Sequence, residues 1–330
     1  MTESRPASPL RLILLTILPA IILGSSAAVA TVVLLAPERA VTIALNLERS
    51  RSNLHTERMV LSSTDATAPR FEIVYNARTG GQKLPVVLLH GFGGDKDNWT
   101  RYAPHLPEDH PLYIPDLPGF GESSRLAEAS YAVTVQAERV VAWMDQLGLQ
   151  RVHLAGNSMG GQISTIIAAT HPERVASLAL FAPGGASNPF PPEFAARVSA
   201  GEAPLVPASV DEYLGMMDLV MEHRPWLPGF FLNYLAERAV SRHDWLLGIW
   251  RNFRLRAVRS DDYWSRVQAP TVIVWGKQDR VLTPEAAPRW HAGIAGSQLE
   301  LLDNCGHLPM VEQGLKVAQT HRMLMATADK

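Results

Sequence analysis

The chain reads as an α/β protein, a mostly parallel sheet with helices on both faces and a helical insertion. Three observations carry that reading. Short, continuously apolar runs such as Val86-Val87-Leu88-Leu89 alternate with helix-period stretches, the pattern of strands buried on both faces. The turn Gly156-Asn157-Ser158-Met159-Gly160 joins one such run, Val152 to Ala155, to a helical stretch, Gln162 to Ala169. Between Gly184 and Val267 the alternation stops, and helices rich in aromatic residues are separated by Pro204, Pro207, Pro225 and Pro228.

At the amino terminus, residues 1–11 form a flank carrying Arg5 and Arg11. From Leu12 to Ala36 there is no charged residue, about 25 positions, against the roughly 20 a helix needs to cross a hydrocarbon core. Pro19 and Gly24 are poor in a soluble helix but tolerated in a membrane span. Residues 12–36 are therefore expected to form one transmembrane signal anchor, with attachment to a membrane through that helix. The competing reading is a signal peptide with Leu12 to Gly24 as its apolar region and Ala28-Val29-Ala30 as a small-residue cleavage site. An anchor predicts a single-pass membrane protein whose folded domain is extracytoplasmic; cleavage after Ala30 predicts a secreted or periplasmic one. Arg39, Arg49 and Arg51 follow the span and oppose Arg5 and Arg11, so charge alone does not fix the orientation.

Residues 37–57 read as a juxtamembrane linker or helix. Strands are expected at Arg58 to Leu61, Phe71 to Tyr75, Leu84 to His90 and Leu112 to Pro115. A helix follows on the face marked by Val133, Ala137, Val140, Val141, Met144 and Leu147, and Gly148 closes it. After the Ser158 turn, further strands are expected at Val175 to Phe181, Thr271 to Trp275 and Gln298 to Leu302. Helices are expected at Pro284 to Ala292 and Val311 to Met325. Residues 58–183 and 268–330 thus form the core, and residues 184–267 a helical cap. Inserted after the strand that follows the turn, the cap would lie over the carboxyl ends of the strands, where ligands bind in such sheets. Met216, Met217, Met221, Phe230 and Phe231 are adaptable apolar groups suited to lining an acyl pocket there.

Composition narrows the chemistry. With 30 basic against 32 acidic residues and no long charge block, nothing favours nucleic acid as a partner. Cys305 is the sole cysteine, so no internal disulfide forms, and with no second histidine beside it the thiol reads as packed. No metal-binding or nucleotide-binding pattern accompanies the glycines, and no cofactor is expected.

A strand, a tight turn and a helix around Gly-x-Ser-x-Gly form a nucleophile elbow, which holds the serine hydroxyl clear of the sheet's end. A serine hydroxyl needs a base, and the base an orienting acid, here in the order serine, acid, histidine. Ser158, Asp279 in Trp275-Gly276-Lys277-Gln278-Asp279 and His307 in Asn304-Cys305-Gly306-His307 satisfy that order, each just past a strand. Asp303 is the second candidate acid. The oxyanion hole is expected from the main-chain N–H groups of Met159 and Phe92, the latter in His90-Gly91-Phe92-Gly93-Gly94.

Together these segments, with Asp116-Leu117-Pro118-Gly119-Phe120-Gly121, resemble the α/β-hydrolase superfamily over residues 58 to 325. Within it the chain most resembles the membrane-anchored monoacylglycerol lipases of the α/β-hydrolase-domain type. The amino-terminal span, Asn157-Ser158-Met159-Gly160-Gly161-Gln162, Pro204-Leu205-Val206-Pro207 and Glu300-Leu301-Leu302-Asp303-Asn304-Cys305-Gly306-His307 carry that likeness. It implies hydrolysis of a lipid ester substrate, monoacylglycerols and related carboxyl esters, by a Ser158, Asp279 and His307 triad without a cofactor. Carbon–carbon bond hydrolases of ring-cleavage products share Gly156 to Gly161, Pro183-Gly184-Gly185 and Cys305-Gly306-His307, but usually carry an aromatic residue where this chain has Leu308. A hydrolase-like fold retained only for binding is the third reading, and a complete triad argues against it.

Overall fold

The computed structural model describes residues 36–62, 70–255 and 258–330. The first described element is a helix, Pro37–Ser50, opened by proline at the position where a missing N–H removes no intrahelical bond. A turn through Asn53 at φ 54 leads into β1 (His55–Val60). The strands β2 (Glu72–Arg78), β3 (Val86–Leu89), β4 (Leu112–Pro115), β5 (Val152–Asn157), β6 (Val175–Phe181), β7 (Thr271–Gly276) and β8 (Gln298–Leu302) follow. They form one sheet in the order β1-β2-β4-β3-β5-β6-β7-β8. β2 pairs antiparallel with β1 and β4, and every other neighbouring pair is parallel.

The parallel strands alternate their side chains between two cores. Val87, Leu89 and Leu154 pack with Trp143, Met144 and Ile163 of the helices Val133–Gln146 and Met159–Thr170. Val86, Leu88 and Ala155 pack on the opposite face with Trp99, Tyr102 and with Val317 and Met325 of the helix Gly314–Ala328. β1 departs from the sequence reading. It begins at His55, not Arg58, because its largely exposed side chains carry no apolar signal and its ladder to β2, from His55 opposite Ala77 to Val60 opposite Glu72, defines it.

Helices Pro192–Ser199, Val210–Val220, Gly229–Val240 and His243–Leu255 separate β6 from β7. The helix Pro37–Ser50 packs beside Gly229–Val240 and is fastened to the loop after β3 by Arg49, whose Nε and Nη2 donate to Asp97 at 2.8 and 2.6 Å. The expected anchor, Leu12 to Ala36, lies outside the described residues except for Ala36. Among the described residues no helix is long and apolar enough to cross a membrane.

A buried charge cluster fixes the same loop from below. Lys96, wholly buried, sets Nζ 3.0 Å from Asp116 Oδ2 and 2.7 Å from Glu122 Oε1. Asp116 also accepts the main-chain N–H groups of Lys96 at 2.6 Å and Glu122 at 2.7 Å. Burial pulls the ammonium toward neutrality, but Asp116, Asp97 and Asp95 outweigh it and its pKa is raised. Gly121 permits this closure: it stands at φ 55, and a Cβ there would collide with the Asp116 carboxylate.

Candidate active site

Only Ser158 separates β5 from the helix Met159–Thr170. Reversing the chain over one residue holds it at φ 54 and ψ −118, a strained conformation for a side chain with a Cβ. The turn closes because its glycines have no side chain. A Cβ at Gly156 would strike the Gly160 carbonyl, and one at Gly160 the Leu89 carbonyl. Ser158 N–H donates to Phe181 O at 3.1 Å, and Ser158 O accepts Gly184 N–H at 2.9 Å, so β6 and the loop after it grip the strained residue.

Asp279 and His307 meet beside this turn. Asp279 sits past β7 with its carboxylate buried, accepting N–H groups from Val281 at 2.8 Å and Leu282 at 2.9 Å on Oδ1. Its Oδ2 accepts Trp275 Nε1–H at 3.0 Å and His307 Nδ1–H at 2.8 Å. With Nδ1 donating to a carboxylate, the neutral imidazole presents a lone pair at Nε2. That atom is buried and has no hydrogen-bond partner among the described residues. The sequence order serine, acid, histidine therefore becomes a spatial cluster: His307 and Ser158 stand in the wall of one cavity. Asp303 is apart from it, paired with Lys277 Nζ at 2.8 Å on the surface with its side chain 72% exposed. The Cys305 thiol is buried, and burial, with Glu312 and Asp279 nearby, raises its pKa.

The loop after β3 passes directly over the elbow, where a Cβ on Gly91 would stand 3.1 Å from Ser158 Cβ. His90 holds that loop. Its Nδ1–H donates to Gly91 O at 2.8 Å and its Nε2 accepts Leu117 N–H at 3.0 Å, a tautomer fixed by the carbonyl at one end and the amide at the other. Phe92 is wedged edge-on against Phe120 and Trp250, at 5.6 and 5.4 Å between ring centroids. Met159 opens its helix, where the first N–H groups have no intrahelical acceptor.

Two cavities, about 300 and about 690 Å³, share Ser158 and Phe92. The smaller includes His307, Met216, Met217 and Phe231 in its wall. The larger is bounded by Met159, Phe190, Val198 and Trp250. Met221 and Phe230, expected beside Met216 and Phe231, line neither. Met221 follows the last residue of Val210–Val220 in extended conformation and is buried in the core. Phe230 precedes Phe231 by one helical position, so the two rings point about 100° apart around the axis, and Phe230 packs edge-on to Phe231 at 6.5 Å.

Three contributors have no role of their own in the sequence reading. Asn157 donates from Nδ2 to Phe181 O at 2.9 Å and His307 O at 3.1 Å, joining the elbow to the histidine loop. Trp275 supports Asp279, as above. Glu312 accepts Gly306 N–H at 2.9 Å on Oε1 and Glu222 and His223 N–H at 2.8 and 3.0 Å on Oε2, bridging the histidine loop to the cap. Trp275 and Glu312 lie in segments the sequence had already singled out or adjoin them, but neither residue type is specific enough to have been separated from packing.

The chain matches the family of the alpha/beta hydrolase fold over residues 85–313. It belongs to that family, and its relatives define it further as a lipase/esterase-type hydrolase, a carboxylic ester hydrolase in general. It is 33% identical over 275 residues to Lipase 3 of Moraxella sp. (strain TA144), covering 81% of this chain and 84% of that one. It is 31% identical over 265 residues to the monoacylglycerol lipase abhd6-B of Xenopus laevis, covering 76% and 77%. Among solved structures, a membrane phospholipase A described as a bacterial virulence factor superposes with a TM-score of 0.85 at 34% identity, covering 94% of this chain and 98% of that one.

Proposed function

We propose that the protein hydrolyses carboxyl esters of single-chain lipids, monoacylglycerols in the first instance, with Ser158 as nucleophile, His307 as base and Asp279 as its orienting acid. The observation that carries this reading is the 2.8 Å contact from His307 Nδ1 to Asp279, which leaves Nε2 unpartnered in the wall of the cavity that holds Ser158. His307 Nε2 takes the Ser158 hydroxyl proton as Oγ attacks the ester carbonyl, and Asp279 stabilises the imidazolium. The tetrahedral oxyanion lies against the N–H groups of Met159 and Phe92. His307 then returns the proton to the departing glycerol oxygen, leaving an acyl-serine. Water, deprotonated by His307, attacks the acyl carbonyl, and the proton returns to Ser158 as the fatty acid leaves. Met216, Met217 and Phe231 supply apolar wall beside this chemistry, and the two cavities meeting at Ser158 suit an acyl chain on one side and an alcohol on the other.

The run Leu12 to Ala36 supports membrane attachment as part of the same proposal, since it would keep the cavities near dispersed lipid. The carbon–carbon hydrolase reading keeps the motifs named in the sequence, and solved structures add only a likeness of fold: meta-cleavage product hydrolase CumD superposes with a TM-score of 0.69 at 22% identity.

The test is fluorophosphonate labelling combined with a hydrolysis panel of long-chain monoacylglycerols and short p-nitrophenyl esters. Labelling of the folded wild type, lost in Ser158→Ala together with more than about 99% of turnover, is expected from the cost of removing a triad nucleophile. Full turnover in Ser158→Ala would sink the assignment, and preference for short soluble esters would remove the lipid substrate.

A further inference from the structure

The wall of the smaller cavity carries six charged groups: Glu48, Asp95, Asp97, Arg101, Arg238 and Arg242. Five are paired. Arg101 Nη2 lies 2.7 Å from Glu48 Oε1, and Asp97 is held by Arg49 at 2.6 Å. Arg238 Nη2 lies 3.4 Å from Asp95 Oδ2. Arg242 has no ion pair and no side-chain hydrogen bond among the described residues. Its charged surroundings are unfavourable: burial comes first, then the like charges of Arg238 and Arg125, which together pull its pKa down to about 10. The acids that oppose this, Asp95 and Asp116, are committed to Arg238 and Lys96.

A guanidinium that stays charged in a partly desolvated wall, with no acid of its own, is complementary to an anion arriving from the cavity. The cavity also contains Ser158 and His307, so the anion belongs to the molecule being cleaved or released there. The planar fork of arginine matches the oxygens of a phosphate, whose charge is fixed at neutral pH. In a single-chain lipid the phosphate sits on the glycerol side of the ester, away from the acyl chain. With the ester at Ser158 and the acyl chain in one cavity, that side enters the other.

We propose that Arg242 forms a subsite for the phosphate of a lysophospholipid head group, which makes phosphate-bearing single-chain lipids substrates of this site. The proposal rests on the reading of Ser158 as an acylated nucleophile and specifies the head group that reading leaves open. The fatty-acid carboxylate is the other anion the cavity meets, and it is separable by experiment.

The experiment compares 1-oleoyl-lysophosphatidylglycerol with 1-monooleoylglycerol in the same mixed micelles, using the full chain with Arg242 intact, Arg242→Gln and Arg242→Lys. Loss of one charge-assisted, two-pronged contact is expected to raise KM for the lysophospholipid roughly tenfold or more in Arg242→Gln. KM for monooleoylglycerol is expected to move less than about threefold, and Arg242→Lys to recover part of the loss, because a point charge replaces the fork. Equal changes on both lipids, or a wild type that cleaves monooleoylglycerol and leaves the lysophospholipid intact, overturn the proposal. Selective relief of inhibition by oleate, with the substrate ratio unchanged, assigns Arg242 to the product carboxylate and overturns it as well. Failure of the esterase reading itself is distinct: no ester is cleaved and the fluorophosphonate does not label Ser158. Urea unfolding of each variant separates a loss of fold from a loss of the subsite.

Discussion

His307 donates its main-chain N–H to Val220 O at 2.9 Å, tying the histidine loop to the last residue of a cap helix. Glu312 reinforces the same junction by accepting three N–H groups, one from the loop and two from the cap. Burial raises the Glu312 pKa, and the hydrogen bonds from His223, Glu222 and Gly306 oppose that rise without cancelling it. The carboxylate is thus held at some electrostatic cost in the one place where it spans cap and core.

Glu312→Ala should act through the position of His307, since Glu312 lines neither cavity. Misplacing a base by about 1 Å costs on the order of 100-fold in turnover, so kcat is expected to fall about 10- to 100-fold with a smaller change in KM. Stability should drop by about 1–3 kcal/mol for amides left without their acceptor. Glu312→Gln keeps one acceptor oxygen and should fall between. Steady-state kinetics beside urea unfolding reads both effects, and a variant with wild-type kcat refutes the positioning role.

Asp279 and Asp303 provide an internal comparison, since both are aspartates just past a strand and Asp303 is the nearer to His307 in sequence. Asp279→Asn keeps the shape but lets an amide face Nδ1, favouring the wrong imidazole tautomer. A loss of about 10⁴ in kcat is expected by analogy with other triads. Asp303→Asn removes only a surface pair with Lys277, worth about 0–1 kcal/mol, and should leave kcat within a factor of about two. Activity measured on both variants decides between the acids, and the reverse ranking would move the acid to Asp303.

How much of this was legible in the sequence follows the physics of each signal. The buried strands announced themselves as continuous apolar runs, and the elbow by glycines that no larger residue can replace without collision. β1 gave no such signal from His55 to Glu57, because an exposed edge strand is specified by its partner's ladder and not by its own apolar content. In the cap, Met216 and Met217 reached the cavity while Met221, beyond the helix end, turned into the core; a side chain's direction there depends on where the helix stops. Glu312 and Asn157 were silent for another reason. Each acts through main-chain groups brought near by folding, and main-chain groups leave no trace in residue identity.

Two histidines outside the proposed triad set the acid limit of the fold. His90 and His321 are wholly buried, and burial is the leading cause that lowers their pKa from 6.5 to about 4 and about 3. For His321 the neighbouring His153 and His110 add to the effect. In both, the folded pKa lies below the unfolded one, so between the two values the unfolded chain binds protons that the folded chain refuses. Stability therefore rises with pH through this window and is lost as pH falls from about 6.5 toward 4, with each histidine contributing up to a few kcal/mol by linkage. His90 couples that loss to the site, because protonating Nε2 breaks its acceptance of Leu117 N–H and releases the loop that carries Gly91 and Phe92. Chemical denaturation at pH 7.5, 6.0 and 5.0 should show a steady fall in unfolding free energy. In His90→Gln, an amide that does not titrate, the fall should be shallower even if the starting stability is lower. A slope identical to that of the wild type would show that His90 does not take part in the acid transition.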